Sequence, residues 1–240
     1  MPKIHQTWTV LPNGPLVEID ERLLTVSGDI PMPLGNFPRR MTVIGLSDGR
    51  TAIWSAIALK EPDMQRIEAL GRPAVMIVPN PGHRLDAKIW KQRYPDIVVL
   101  TPPGARQMVS EVVPVDATED VLGDPDVSFI VVEGTVGAES ALKVRRASGV
   151  TLITNDMIGH VRRPHGIGAN IMARVFGYGV HGPAIPRTVK RFIKDPKALA
   201  RQMREWAEID GLKRIIVSHG EPITDDPAGV LRRLADSLEG

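Results

Sequence analysis

Three polar residues that could carry out acid–base or metal chemistry follow three predicted strands. His83 ends a Pro/Gly loop after the strand pattern at residues 74–79, Asp156 follows the strand pattern at 150–154, and His219 follows the one at 214–217. Strand ends in α/β proteins commonly meet at one edge of a sheet, where functional sites form. Two imidazoles and one carboxylate there can bind one divalent ion, whether zinc, iron or manganese. We therefore treat these three residues as candidate catalytic groups and metal ligands.

Each of the three residues also has an ordinary structural interpretation. An Asp after a strand commonly caps the next turn or helix, and a His beside a glycine is commonly held by hydrogen bonds within a turn. Further polar residues nearby could bind a substrate, because arginines hold phosphate or carboxylate groups with paired hydrogen bonds. These candidate substrate-binding residues are Asn80, His160, Arg162, Arg163 and His165. The alternative for both arginines is a solvated surface position.

The segments that must position these residues alternate between strand hairpins and helices. Residues 1–40 are predicted to form an N-terminal arm or hairpin that packs on a single domain of residues 41–240. In that domain we expect strands at 41–46, 51–59, 74–79, 97–100, 128–132 and 214–218, a hairpin over 140–155, and helices at 62–70, 85–94, 104–111, 196–209 and 227–238. Residues 157–186 read as a long loop region with a short helix at 170–175. Asp86 is expected to be solvated and Trp90 to lie in the core.

Composition excludes several classes of function. The chain has 240 residues, 42% hydrophobic content and no cysteine, so it can form one sizeable core but no disulfide, thiolate nucleophile or cysteine-bound metal. A net charge of +2 and 4% aromatic residues make a nucleic-acid partner an unfavourable hypothesis. Neither a signal peptide nor a membrane-spanning run is evident, and the sequence contains no nucleotide-binding glycine loop or Gly-x-Ser-x-Gly turn. We expect a cytoplasmic protein that acts on a small molecule without a membrane.

Several short segments, in order along residues 40–225, resemble the metallo-β-lactamase superfamily. They include Met41-Thr-Val-Ile-Gly-Leu-Ser-Asp-Gly, Val78-Pro-Asn-Pro-Gly-His, Leu152-Ile-Thr-Asn-Asp and Ser218-His-Gly-Glu-Pro-Ile. The resemblance implies an α/β fold, an αββα sandwich of two mixed β-sheets with helices outside. It also implies a metal site at one edge of these sheets.

The metal-binding motif that the resemblance implies is incomplete. Catalytic members carry Thr-His-x-His-x-Asp-His after the strand that here is 74–79, and this chain has Val78, Asn80 and Gly82 at the first two His positions and the Asp position. The family's Gly-His turn falls near Gly134-Thr135, where no His stands. His83, Asp156 and His219 match the remaining ligands, all of which belong to the second metal site. An apolar Val78 cannot replace an imidazole, so a binuclear hydrolase is not expected.

Two functional hypotheses follow. The first is a superfamily member without the binuclear site, catalytically silent or ligand-binding, that needs no metal. The alternative is a mononuclear metal-dependent hydrolase of a small anionic or ester-like substrate that uses His83, Asp156 and His219. The sequence leaves the substrate and the oligomeric state open.

Overall fold

The computed structural model describes residues 4–32, 35–164, 166–190 and 192–239. Its strands form two mixed sheets. The six-stranded sheet has the order β1-β2-β3-β4-β5-β6 and the four-stranded sheet the order β10-β9-β8-β7. The strands are β1 Val17–Asp20, β2 Leu23–Met32, β3 Gly35–Gly45, β4 Arg50–Trp54, β5 Arg72–Ile77, β6 Val98–Leu100, β7 Val127–Val131, β8 Ser140–Arg146, β9 Gly149–His160 and β10 Leu212–Gly220.

Helices cover the outer face of each sheet. The helices of the described residues are α1 Glu61–Leu70, α2 Ala87–Arg93, α3 Arg106–Ser110, α4 Ile167–Phe176, α5 Arg187–Lys190, α6 Pro196–Ala207 and α7 Pro227–Glu239. Residues from α1, α2 and α3 share one buried cluster with the first sheet, and residues from α6 and α7 share another with the second sheet. Between the sheets lies a third cluster, which contains Trp54, Ile77, Leu142 and Ile216. Successive strand residues point to opposite faces, so each sheet contributes to two of these cores. The α/β sandwich expected from the sequence is confirmed.

Parallel pairing brings the functional strand ends to one edge. In the first sheet β4, β5 and β6 run parallel, and in the second sheet β10 runs parallel to β9. The residues that follow β4 and β5 therefore leave the first sheet at the same side. In the second sheet, His219 near the end of β10 pairs with Gly159 near the end of β9. Both sheets deliver polar residues to this edge.

A wide bulge in β9 carries Asp156. Thr154 pairs with Val217, but the next paired residue is Gly159, opposite His219, so residues 155–158 of β9 lie opposite Ser218 alone. Extra residues in one strand bend it and redirect its side chains. The expected strand end at Thr154 is thus wrong, since β9 continues to His160 and Asp156 lies within the bulged part of the strand.

Other local expectations are corrected as well. The strand expected at 51–59 ends at Trp54, because Ser55 has a left-handed backbone with φ of 54°. The 157–186 region contains α4, which is longer than the expected helix at 170–175, and α5 begins directly after it. The expectation for Asp86 is also wrong, because this side chain is buried, whereas Trp90 lies in the core as expected.

The division of the chain at residue 40 stays a prediction. β1, β2 and the start of β3 are paired strands of the six-stranded sheet, and β3 runs through residue 40 without interruption. Within the described residues, no helix has the length and apolar character needed to cross a membrane.

Candidate metal centre

His83 is positioned by a tight turn directly after β5. Residues Pro81–His83 form a short 3₁₀ helix, and the side chain of Asn80 caps it by accepting a hydrogen bond from the Gly82 N–H at 2.7 Å. Pro81 suits the first position of such a turn, where no N–H is needed. The turn projects His83 across the edge of the sheets towards Asp156.

His83, Asp156 and His219 converge on one carboxylate oxygen. Asp156 Oδ1 lies 3.2 Å from His83 Nε2 and 2.7 Å from His219 Nε2. One ligand atom from each residue can be chosen so that all three lie within 4.8 Å of one another. The structure thus brings together the three residues that the sequence singled out, from two different sheets.

The outer nitrogen of each histidine is held in place. Ser55 Oγ lies 2.6 Å from His83 Nδ1, and the His219 Nδ1–H donates to the Pro38 carbonyl oxygen at 2.6 Å. Ser55 reaches this position from a left-handed backbone, an uncommon conformation for a residue with a side chain. Histidine ligands of metals usually have the other ring nitrogen anchored in this way. Both Nε2 atoms are left facing Asp156.

These distances fit a single divalent ion. Zinc binds imidazole nitrogen and carboxylate oxygen at about 2.0–2.2 Å, which puts tetrahedral ligand atoms roughly 3.3 Å apart. Asp156 Oδ1 lies 2.7 Å from His219 Nε2 and 3.2 Å from His83 Nε2. Small movements of these side chains would bring both distances to the tetrahedral spacing. The group His83, Asp156 and His219 can therefore hold a metal ion. The donor set does not distinguish zinc from iron or manganese.

Burial and mutual charge interactions shift the pKa values of the three groups in different directions. Burial alone would raise the pKa of Asp156, but the charges and hydrogen bonds of His83 and His219 lower the pKa well below its usual range. Burial alone would lower the pKa of His219, but the Asp156 carboxylate and the Pro38 carbonyl raise it. Burial lowers the pKa of His83 and outweighs the attraction of Asp156, and His219 and Arg39 lower it further. His219 faces a hydrogen-bond acceptor at both ring nitrogens, the Pro38 carbonyl at Nδ1 and Asp156 at Nε2, so it is the protonated partner of Asp156.

A second polar group lies behind Asp156. The Asn80 Nδ2 amide donates to Asp156 Oδ2 at 2.7 Å and to Glu139 Oε1 at 2.6 Å, while Asn155 Nδ2 donates to Glu139 Oε2 at 3.1 Å. Glu139 is buried, and burial together with repulsion from Asp156 raises the pKa of this carboxyl group well above its usual range. A buried carboxyl group with a perturbed pKa beside a candidate site is a functional candidate.

The sequence interpretation missed Glu139. This residue directly precedes β8, after the Gly134–Gly137 turn in which the resemblance placed a histidine. The signal in the sequence that could have indicated it is a single acidic residue directly before an apolar strand.

A cavity of about 180 Å³ adjoins the three convergent residues. Its wall includes His83, Asp156 and His219 together with Arg39 and Ser55, and the apolar residues on it include Ile30, Phe37 and Leu85. The Phe37 ring lies 4.7 Å from the His219 ring and 4.8 Å from the Tyr178 ring, measured between centroids. Burial and then the Asp156 charge raise the pKa of Tyr178, so this residue remains a neutral phenol.

Arg39 is the basic residue of this cavity. It is 5% exposed, and its Nη1 forms an ion pair with the fully buried Asp86 side chain, which also accepts from His5 Nδ1 at 2.8 Å. Arg39 Nε and Nη2 have no hydrogen-bond partner among the described residues. The sequence interpretation did not single out this residue.

The predicted substrate-binding residues are distributed differently. Asn80 lies at the site, where it contacts Asp156. His160 Nδ1 hydrogen-bonds the Glu221 carbonyl oxygen at 2.9 Å, and Arg163 lines a separate cavity of about 410 Å³ that also includes Arg40 and Gly220. Arg162 is exposed. His165 lies outside the described residues.

Comparison with solved structures identifies the architecture. The chain superposes on the metallo-β-lactamase FIM-1 from Pseudomonas aeruginosa in the mono-zinc form with a TM-score of 0.61 and 12% identity, over 95% of this chain and 96% of that one. The chain has the metallo-β-lactamase fold. The metallo-β-lactamase from Erythrobacter litoralis gives a TM-score of 0.62 at 12% identity, covering 92% and 96% of the two chains. TMB-1 gives 0.63 at 14% identity, covering 96% and 100%.

At the level of sequence the similarity is weak. No protein-family model matches the chain, and no curated protein matches it either. The fold implied by the resemblance is confirmed, while the activities of these structural neighbours do not transfer with a shared fold.

Proposed function

We propose that the protein binds one divalent metal ion through His83, Asp156 and His219 and hydrolyses a small anionic substrate. The observation that carries the proposal is the orientation of the two histidines. Each presents Nε2 to the same Asp156 oxygen while Nδ1 is held, by Ser55 in one case and by the Pro38 carbonyl in the other. The mono-zinc form of the FIM-1 enzyme supports a single ion in this fold.

A bound divalent ion would supply Lewis acidity, lowering the pKa of water and polarising the bond to be cleaved. The residues of this chain prepare the site for it. His219 would hold the ion through Nε2, while its Nδ1–H stays hydrogen-bonded to the Pro38 carbonyl oxygen. Ser55 holds His83 and so restricts rotation of its ring. Asn80 ties Asp156 Oδ2, which leaves Oδ1 directed at both histidines.

The shape and charge of the cavity support a small anionic substrate. A volume of about 180 Å³ admits a small molecule or one end of a larger one. Arg39 contributes a positive charge to the wall. Its Nη1 pairs with Asp86, and its Nε and Nη2, which have no partner among the described residues, are buried, so an anionic group would reach them through a shift of the side chain. Carboxylate and phosphate groups match the fork of an arginine. With an ion bound, the wall would carry two cationic centres, so we propose a substrate whose anionic group lies near Arg39. We place this reaction in the cytoplasm, because a chain without cysteine suits a reducing compartment.

A metal-free, ligand-binding protein is the second candidate. It is supported by the internal pairing of the three groups, since His219 and His83 both hydrogen-bond Asp156 and thereby satisfy its charge without an ion. In that case the cavity would bind an anionic ligand through Arg39 and the protonated His219, and no covalent chemistry would occur.

Elemental analysis separates the two candidates. The protein should be purified without chelator or affinity metal, beside His83→Ala, His219→Ala and the control His181→Ala, which changes an exposed histidine. We expect about one zinc, iron or manganese per chain in the wild type and the control, and none in the other two variants. Absence of stoichiometric metal, even after incubation with excess ions, would refute the hydrolase and favour the ligand-binding protein.

A further inference from the structure

The side chain of Asn80 joins two buried carboxyl groups. Its Nδ2 lies 2.6 Å from Glu139 Oε1 and 2.7 Å from Asp156 Oδ2, and its Oδ1 accepts from the Gly82 N–H at 2.7 Å. Asn80 and Glu139 are both buried, at 4% and 7% exposure. Both hydrogens of the Asn80 NH₂ group and its amide oxygen are therefore engaged in hydrogen bonds within this cluster.

The orientation of the amide is fixed by its partners. The Gly82 N–H can only donate, so it must face the amide oxygen, and an ionised Asp156 can only accept, so it must face the NH₂ group. The opposite orientation would place the amide oxygen against the Asp156 carboxylate and leave the NH₂ group against the Gly82 N–H. Asn80 thus presents two hydrogens, each carrying partial positive charge, to two carboxyl groups.

Two buried carboxyl groups that lie side by side need either a cation between them or a proton on one of them, because like charges in a low-dielectric interior repel strongly. No basic side chain in the described part of the chain forms an ion pair with Glu139, whose hydrogen-bond donors are the amides of Asn80 and Asn155. The NH₂ group of Asn80 lies where such a cation would lie, at hydrogen-bonding distance from one oxygen of each carboxyl group.

We propose that the Asn80 amide takes the place of a second cation between Glu139 and Asp156, so that this protein is built for one ion. The proposal that an ion binds at His83, Asp156 and His219 is assumed for the first ion only. The two carboxylate oxygens of Asp156 then have different partners. Its Oδ1 faces the two histidines and its Oδ2 is held by Asn80, which keeps the carboxylate plane fixed.

The inference predicts that changing Asn80 creates a second cation site. Asn80→Asp replaces the bridging NH₂ group, a hydrogen-bond donor, with a carboxylate oxygen of nearly the same size that can bind a metal ion. Three carboxyl groups would then meet at one point. Oxygen-rich sites of this kind prefer hard cations such as Mn²⁺. Asn80→Ala removes the bridge without adding a ligand and should open a weaker site.

The test is the number of Mn²⁺ ions bound per chain, measured by equilibrium dialysis and by electron paramagnetic resonance of coupled ions. We expect one ion in the wild type, one more in Asn80→Asp, and one more at higher Mn²⁺ concentration in Asn80→Ala. Adding Glu139→Gln to either variant should remove the extra ion. Asn170→Asp, on α4, makes the same chemical change away from the cluster and should leave the count unchanged.

The outcomes distinguish this inference from the proposed function. A wild type that binds no ion, with Asn80→Asp binding one that depends on Glu139, would refute the metal-dependent hydrolase and support the role of Asn80. A wild type that binds two ions would overturn the inference, because the amide would not then occupy the place of a cation. The inference would also be overturned if both variants fold and bind the same number of Mn²⁺ ions as the wild type. Should Asn80→Asp fail to fold, the count in Asn80→Ala decides alone.

Discussion

Asp86→Asn should be among the most destabilising conservative substitutions in this chain. Asp86 has a fully buried side chain and pairs with Arg39, which is itself 5% exposed, and with His5. The substitution keeps the size and one acceptor oxygen but removes the negative charge. It would leave the Arg39 guanidinium buried without a counter-charge, and Arg39 Nε and Nη2 already lack partners among the described residues.

The magnitude follows from this burial. Removing one partner of a buried ion pair destabilises a protein by about 3–5 kcal/mol, since the remaining charge is not solvated. With a urea dependence of roughly 3 kcal/mol per molar, that loss would lower the unfolding midpoint by about 1–1.7 M. Arg39→Met should be milder, because Asp86 keeps its hydrogen bond from His5. The double variant should be more stable than Asp86→Asn alone, because the unpaired guanidinium is then gone.

Urea unfolding followed by circular dichroism measures these differences, with Asp96→Asn as the control at an exposed aspartate. The control should stay within about 0.5 kcal/mol of the wild type. Additive losses in the double variant, or a loss below about 1 kcal/mol in Asp86→Asn, would refute the assignment of a buried charge pair.

Three further substitutions test the site and its supports. Ser55→Ala should weaken metal affinity by about 10–100-fold in chelator competition, since Ser55 holds a ligand histidine, while the exposed Ser110→Ala should not. Gly220→Ala should lower the melting temperature far more than Gly49→Ala: both have positive φ, but only at Gly220 would a Cβ overlap a carbonyl oxygen of β9. For Asp20, burial alone would raise the pKa, but a serine hydrogen bond and the arginine of β10 lower it. Its stabilising contribution is therefore present above about pH 4 and lost as pH falls, so Asp20→Asn should flatten the acid side of the stability curve.

Local sequence patterns were sufficient to predict which residues meet. Apolar runs interrupted by Pro, Gly, Asn or Asp mark where strands end, and parallel strands bring those ends to the same edge. His83 and His219 could be placed in this way because β5 and β10 each contain a short buried apolar run, at residues 74–77 and 215–217. Asp156 was placed at the right edge although its strand was ended too early.

The error at Asp156 has a structural cause. Asn155 and Asp156 are residues typical of turns, so the pattern predicts an end at Thr154. In the structure, β8 does stop pairing at Thr154, but β10 resumes its pairing with β9 at Gly159, and the bulge spans the interval. Pairing with a distant strand, which no local pattern contains, keeps the segment extended.

The sequence alone could not predict the polar pairs between residues that lie far apart in the chain. Asp86 lies 47 residues from Arg39 and 81 from His5, and Glu139 lies 59 residues from Asn80. Charged residues are most often solvated, so a sequence argument assigns them to the surface by default. Only the folded chain supplies the partner that makes burial of these residues tolerable.

The site also joins the two sheets, which makes ion binding and folding interdependent. His83 follows β5 of the six-stranded sheet, whereas Asp156 and His219 belong to the four-stranded sheet, and Trp54 Nε1 donates to Ser218 Oγ across the same interface at 3.3 Å. An ion bound to all three ligands would therefore oppose separation of the sheets. At a free ion concentration 100 times the Kd, binding should stabilise the native state by about 2.7 kcal/mol. Adding the ion should raise the urea midpoint of the wild type and of His181→Ala but not of His219→Ala. An equal rise in all three would show that the ion binds elsewhere.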